Sequence, residues 1–330
     1  MGAKCKGCGS CILFIVTTIV VYKLSLPVFL ENFDPEGDTP SDTRFLPKSD
    51  RTYSGQHILC HKFEGGLGSL LFQYASLTSI AQGQNRLLVS RGDLTLSHLL
   101  RHPQVRSNKN QCRNVVRISE SACCRLDENL LKLDVNKNYD IDGVLQSWKY
   151  FKDNLESVRQ LVEFHDGVVH QAKKVIEHTL LAYNHTTSDT SIVGVHVRRG
   201  DKLHWKSVDE GYRVAPREYF LKAMTYFRDH VSPSVAFLVV SDDHAWCKSN
   251  LLGLPGVMLA ESGQPAVDLK VLTLLDHSII SMGSFSWWAG FLAKGKVVYY
   301  SDFVEKDSKI RGQFDAKFED YVLPEWIPMS

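Results

Sequence analysis

Apolar positions fall along this chain in three regimes. Residues 11–22 are almost uninterruptedly apolar, C-I-L-F-I-V-T-T-I-V-V-Y, and beyond Lys23 the apolar character resumes to residue 30. Residues 31–55 lose all periodicity, with Pro35, Pro40 and Pro47 set among Asp, Ser and Thr. From residue 56 onward, short β-branched runs alternate with stretches whose apolar positions recur at helical spacing. A strand is predicted over 58–63, then a glycine loop at 65–68, and Leu70, Tyr74, Leu77 and Ala81 mark one face of a helix. The stretch 91–190 is less regular: helices are expected over 151–165 and 168–183, with a polar linker at 184–189. The second half is clear. Strands over 192–197, 235–240, 256–260, 278–282 and 297–300 alternate with a helix opened by Pro216 and helices over 266–276 and 284–293. This alternation predicts a doubly wound parallel sheet, which binds ligands at the carboxyl ends of its strands.

The first regime sets an expected compartment. Crossing a bilayer takes about 20 apolar residues, which 11–30 supply if Lys23 reaches the polar interface. Lys4 and Lys6 precede the run, while Glu31, Asp34, Glu36 and Asp38 follow it. That asymmetry places the N-terminus in the cytosol and the body across the membrane. The expected layout is a tail at 1–10, a signal-anchor at 11–30, a stem at 31–55, and a body in two α/β domains, 56–189 and 190–330. A cleaved signal and a buried core helix are the competing readings, although no small-x-small cleavage site follows the run. The net charge of +1, from 38 basic and 37 acidic residues, gives no basic excess for a nucleic-acid partner. Cysteines 60, 112, 123, 124 and 247 make an odd set in the body, so at least one is free or bridges to another chain. Asn184-His185-Thr186 is a glycosylation sequon that fits a lumenal loop.

Three clusters at predicted strand ends carry chemistry. His196-Val197-Arg198-Arg199-Gly200-Asp201 offers two forked guanidinium donors suited to a diphosphate, with Asp201 to hold one of them. Ser241-Asp242-Asp243 fits either an acidic pair for a metal–nucleotide or a helix cap. Ser281 to Trp288, S-M-G-S-F-S-W-W, combines close backbone approach, hydroxyls at a helix start and aromatic faces, or else an aromatic core with a cap. The glycine loop Gly65-Gly66-Leu67-Gly68 lacks the lysine of a nucleotide P-loop and is either an anion cradle or a tight turn.

Taken together, V-G-V-H-V-R-R-G-D (193–201), V-V-S-D-D-H-A-W-C (239–247) and S-M-G-S-F-S-W-W-A (281–289) resemble the α-1,2-fucosyltransferase family. G-G-L-G-S-L-L-F-Q-Y-A (65–75) and L-P-E-W (323–326) are similar to further family motifs, and the resemblance runs from residue 56 to the end. One departure is present: the family usually carries Asn-Gln where this chain has Ser69-Leu70.

The resemblance implies a GT-B-like fold of two Rossmann-type domains, with GDP-fucose held by the C-terminal one. It implies inverting transfer to the 2-hydroxyl of a terminal β-galactose on glycans. The anchor, polar stem and globular body have by analogy the layout of Golgi-resident enzymes, so a single-pass type II protein of the Golgi membrane is expected. The implied donor contacts are His196, Arg198, Arg199, Ser241, Asp242, Ser284, Phe285, Ser286, Gly66 and Gly68. Arg198, Arg199, Asp201 and His204 are the catalytic candidates, with Glu64 and Glu210 as further bases. No metal or other cofactor is expected, because the arginines and a helix N-terminus can neutralise the leaving diphosphate. Transfer to a core-glycan or protein acceptor, and a silent GDP-sugar-binding relative, are the alternatives.

Overall fold

The computed structural model describes residues 56–92, 95–185, 190–232 and 234–330. The expected tail, anchor and stem lie outside the described residues, as does Thr186 of the sequon. Among the described residues no helix is long and apolar enough to cross a membrane. Residues 55–330 form one compact unit.

Two parallel sheets make up this unit. The first half gives β1 (Ile58–His61), α1 (Leu67–Gly83), β2 (Leu87–Ser90), β3 (Arg106–Ser107), β4 (Val116–Ser119) and β5 (Tyr139–Asp142). Helices α2 (Leu155–Leu161) and α3 (Asp166–Ala182) lead into β6 (Ser191–Val197). There follow α4 (Trp205–Glu210), α5 (Arg217–His230), β7 (Val235–Ser241), α6 (His244–Asn250) and β8 (Val257–Leu259). The chain closes with α7 (Pro265–Leu274), β9 (His277–Ile280), α8 (Ser284–Phe291), β10 (Val297–Tyr300) and β11 (Ile327–Met329). Strand orders are β3-β2-β1-β5-β4 and β11-β10-β9-β6-β7-β8. Pairing is parallel throughout. β6 and β7 are buried along nearly their whole length, which is why they read as continuous apolar runs.

The two halves meet along α1 and α8. Trp287 and Trp288 are fully buried there, with ring centroids 4.4 and 5.3 Å from Phe72. The Trp288 indole N–H donates to the Gly68 carbonyl at 2.9 Å, and that of Trp287 to Tyr321 O at 2.6 Å. These tryptophans are therefore core, not stacking faces for a ligand. Downstream of β10, the chain crosses back over the first half. Ser147 Oγ and the Trp148 indole N–H donate to the Asp320 and Glu319 carbonyls, and Lys149 pairs with Asp320 at 2.6 Å.

The expected helix over 151–165 is replaced by a 3-10 segment at Trp148–Asn154, kinked at Phe151, and the short α2. Phe164 then enters an isolated bridge with Leu100. Burying Tyr150, Phe151, Val158 and Phe164 together takes precedence over an unbroken helix. Cys60–Cys112 and Cys123–Cys124 form disulfides, and Cys247 is the free, buried cysteine of the odd set. Asn184 is exposed just past the end of α3, at φ 51°.

Candidate active site

β9, β6 and β7 lie side by side, and their carboxyl ends bring the three sequence clusters together. The Arg198 guanidinium is forked between two carboxylates, 2.5 Å from Asp242 Oδ2 and 2.6 Å from Asp201 Oδ1. Its backbone N–H donates to Ser281 Oγ at 2.9 Å, tying β6 to the loop that enters α8. Arg199 lies over the Trp246 ring at 4.2 Å, with Nε 3.3 Å from Asp243, and only 13% of its side chain is exposed. Trp246 stood inside a recognised motif, but nothing in its spacing marked it as the arginine's platform. A β-carbon at Gly200 would fall 2.5 Å from Asp242 Oδ2, so a side chain there would push that carboxylate from its place between the arginines.

The acidic pair is divided in its duties. Asp243 caps α6, accepting from the Trp246 N–H at 3.0 Å. Asp242 accepts from both the Arg198 side chain and the Arg199 backbone N–H. Ser241 sits below them and donates to Val197 O at 2.9 Å. Neither aspartate extends into a larger ligand cluster: among the described residues no group of three metal-ligating side chains occurs.

At α8, Gly283 takes the cap position at φ 91°, a left-handed conformation suited to glycine. Ser284 and Phe285 are half-buried at the helix start. His196 and Ser286 lie beneath them. The His196 ring is buried, 2.6 Å from Ser286 Oγ and 4.7 Å from the Phe285 ring. Burial, reinforced by Arg198, holds its pKa down at about 3, so the imidazole is neutral at any working pH. In this geometry His196 and Ser286 brace the helix start from below.

The glycine loop approaches the same helix start from the other half. Gly68 packs its backbone directly against Ser284 and Phe285, leaving no space at its α-carbon for a ligand. Gly66 is exposed. Gln73, which sequence reasoning did not single out, fixes the loop by accepting from Glu64 N–H at 3.1 Å and donating to Glu64 O at 2.8 Å. Ser69 Oγ lies 3.3 Å from Ser284 Oγ and accepts from Gln146 Nε2 at 3.1 Å. His204 starts α4, its Nδ1 accepting from Lys206 N–H at 3.4 Å. Glu64 pairs with Lys62 and Glu210 ends α4, and both are exposed.

Glu120 is a second residue that pattern reading missed. It follows β4 and accepts from the N–H groups of Val144 and Leu145 at 3.1 and 2.9 Å and from Tyr150 OH at 3.1 Å. Burial outweighs these bonds, with nearby Asp127 adding repulsion, and pushes its pKa up to about 7. A folded value above the unfolded one favours the fold below about pH 4.5 and loses that contribution as pH rises through 7. Glu120→Gln keeps an oxygen for both N–H groups and an amide for Tyr150. The melting temperature of the variant, compared with wild type by calorimetry from pH 5 to 8, is expected to fall less by about 2–4 °C. Parallel curves would show that Glu120 does not titrate in that range.

The sequence profile of glycosyl transferase family 11 matches residues 65–330. The chain is 31% identical over 312 residues to galactoside alpha-(1,2)-fucosyltransferase 1 of Saimiri boliviensis boliviensis, covering 88% of this chain and 80% of that protein. The same enzyme of Leontocebus fuscicollis is 32% identical over the same shares. The solved structure of an Arabidopsis thaliana FUT1 variant in complex with GDP has a similar fold, with TM-score 0.51 at 14% identity, covering 87% of this chain and 75% of that one.

Proposed function

This chain belongs to glycosyl transferase family 11, and on that premise we propose that it transfers L-fucose from GDP-fucose to the 2-hydroxyl of a terminal β-galactose. The observation that carries the reading is the meeting of Arg198, Arg199 and the first turn of α8 at adjacent parallel strand ends. Such a place can offer positive charge to a ligand without a metal, once the ligand displaces the carboxylates: two guanidinium forks and the N–H groups of a helix N-terminus. The acceptor class and the α-1,2 linkage are those by which its relatives are named.

In the proposed reaction the diphosphate displaces Asp242 and Asp201 from the Arg198 fork and lies against α8 at Ser284. The acceptor oxygen forms its bond to fucose C1 as the bond from C1 to the diphosphate breaks, inverting that centre. GDP leaves with its new charge matched by the arginines. The proton from the 2-hydroxyl passes to a base. Asp201 keeps Lys202 at 3.6 Å as a partner after the diphosphate takes Arg198, which favours His204 for that role: its free lone pair is on Nδ1, which gives up the Lys206 N–H to accept the proton. Ser241 and Gly66 border the donor, and Phe285 offers it a ring edge.

The two sheets support a GT-B-like division, with the acceptor on the 56–189 side and GDP-fucose on the 190–330 side. The apolar stretch 11–30, its lysine-first flank and the sequon at Asn184 support a type II Golgi membrane protein with its body in the lumen. Asp242 is engaged by Arg198 and the Arg199 N–H, and Asp243 by Arg199 and the α6 cap, which supports a charge-neutralising role for the arginines in place of a metal. Saturating EDTA is therefore expected to change the transfer rate less than twofold; a strict manganese requirement would return both aspartates to a metal site. The activity itself is tested with GDP-fucose and paired β-galactoside and 2-deoxy-β-galactoside acceptors. Transfer to the first alone is expected, and equal transfer to both contradicts the assignment.

A further inference from the structure

Leu145, a bulky residue at φ 53°, occupies a conformation that persists only where its surroundings hold it. Here they do so from several sides. The Leu145 side chain is fully buried, its N–H donates to Glu120, and its carbonyl accepts from Ser76 Oγ at 2.9 Å. The next N–H, that of Gln146, donates to Cys123 O at 2.8 Å. Leu145 and Ser147 are buried, and Gln146 between them is only half-buried. The turn thus directs one polar side chain out of the first half, toward the seam between α1 and α8. Its Nε2 reaches Ser69 Oγ, which lies against Ser284 Oγ at the first residue of α8.

We propose that Gln146 is a specificity-determining residue of the acceptor site, its carboxamide contacting a hydroxyl of the acceptor sugar beside the N-terminus of α8. The inference rests on the transferase reading above and deepens it. A carboxamide that gives one N–H to Ser69 keeps a second N–H and a carbonyl oxygen, which together match a hydroxyl that both donates and accepts. The acceptor must deliver its oxygen where the diphosphate departs, and Ser284 stands at that helix start. The chain Gln146–Ser69–Ser284 links the first-half loop to that point, so an acceptor bound beside Ser284 lies within reach of the amide. Strain in the turn and the bonds that offset it fix the amide before the sugar arrives, which lowers the ordering cost of binding.

Kinetics of the full-length chain test this with Gln146→Leu, which removes both polar functions at similar length, and Gln146→Glu, which keeps an oxygen acceptor. Gln146→Leu is expected to raise KM for a β-galactoside at least tenfold while leaving the Kd for GDP, measured by calorimetry, within twofold. Gln146→Glu is expected to recover part of the loss, with KM about threefold above wild type. A galactoside KM within twofold of wild type in Gln146→Leu overturns the proposal. So does a parallel rise in KM and GDP Kd, which would make Gln146 a brace for the donor. Should Gln146→Leu fail to fold, the Gln146→Glu comparison decides on the same two readouts. Failure of the transferase reading shows separately, as wild-type protein that transfers no fucose to any β-galactoside. In that event, saturation-transfer NMR of a β-galactoside on GDP-loaded wild type and Gln146→Glu reads the contact directly, and equal signals reject it.

Discussion

Replacing Arg199 with alanine is expected to lower kcat/KM for fucose transfer about 30- to 1000-fold, equivalent to roughly 2–4 kcal/mol of transition-state stabilisation. The guanidinium is held before substrate arrives, by the Trp246 face at 4.2 Å and by Asp243 at 3.3 Å. A preorganised cation costs little to reorganise as negative charge grows on the departing diphosphate. Arg198→Ala should fall in the same range, because its fork turns from Asp201 and Asp242 to the diphosphate. Lysine should not rescue either position: a point charge cannot span two oxygens or lie flat on an indole. Both side chains lie outside the apolar core, so the melting temperature should move by no more than a few degrees. Steady-state kinetics with GDP-fucose and a β-galactoside, beside a thermal melt, separate the two effects. Near-wild-type turnover in a folded alanine variant would remove the arginines from the mechanism.

Gly68→Ala is expected to damage fold and activity together. A β-carbon there would lie 2.5 Å from the Ser284 carbonyl carbon and 2.8 Å from Phe285 Cα, distances that force backbone to move. The flexible end of a side chain could turn aside; two packed helices cannot. The Trp288 indole bond to Gly68 O would shift as well. Destabilisation of about 3 kcal/mol or more follows, at the upper end for overpacking. For a unit of this size that corresponds to a loss of roughly 6–12 °C in melting temperature. Because the displaced atoms belong to the first turn of α8, GDP affinity should fall too. Gly66→Ala is the control: its α-carbon faces open space, and its melting temperature should stay within about 2 °C of wild type. Equal melts for the two variants would mean that α1 does not dock on α8 through Gly68.

The contrast between the halves shows what pattern reading can reach. β6, β7 and β9 are enclosed by neighbouring strands and helices, so their β-branched runs stand out, and the motifs at their ends were legible residue by residue. The strands β3, β4 and β5 carry no such signal. β3 is two exposed residues, and β4 is an edge strand whose V-R-I-S is largely exposed. β5 reads Y-D-I-D because Asp140 is buried against Arg91 at 3.0 Å, an ion pair that breaks the apolar pattern of a core strand. β11 follows a long irregular stretch and contains Pro328, which an edge position tolerates. The same limit governs the site. Arg198 and Arg199 announce themselves through charge at a strand end. Glu120 and Gln146 act through a loop that only long-range packing defines, as their bonds to Leu145, Tyr150 and Ser69 show. The burial of His196 beneath the start of α8 is likewise set by packing that its place in the motif does not announce.

Transfer by this chain is expected to join fucose to one particular oxygen of galactose with inversion. Two-dimensional NMR of the product formed from GDP-β-L-fucose and a β-galactoside tests it most directly. An α-fucosyl anomeric proton correlated across the new bond to galactose C2, and to no other carbon, is the expected result. A correlation to a different ring carbon or a β-linked product, like release of free fucose with the galactoside unchanged, would contradict it.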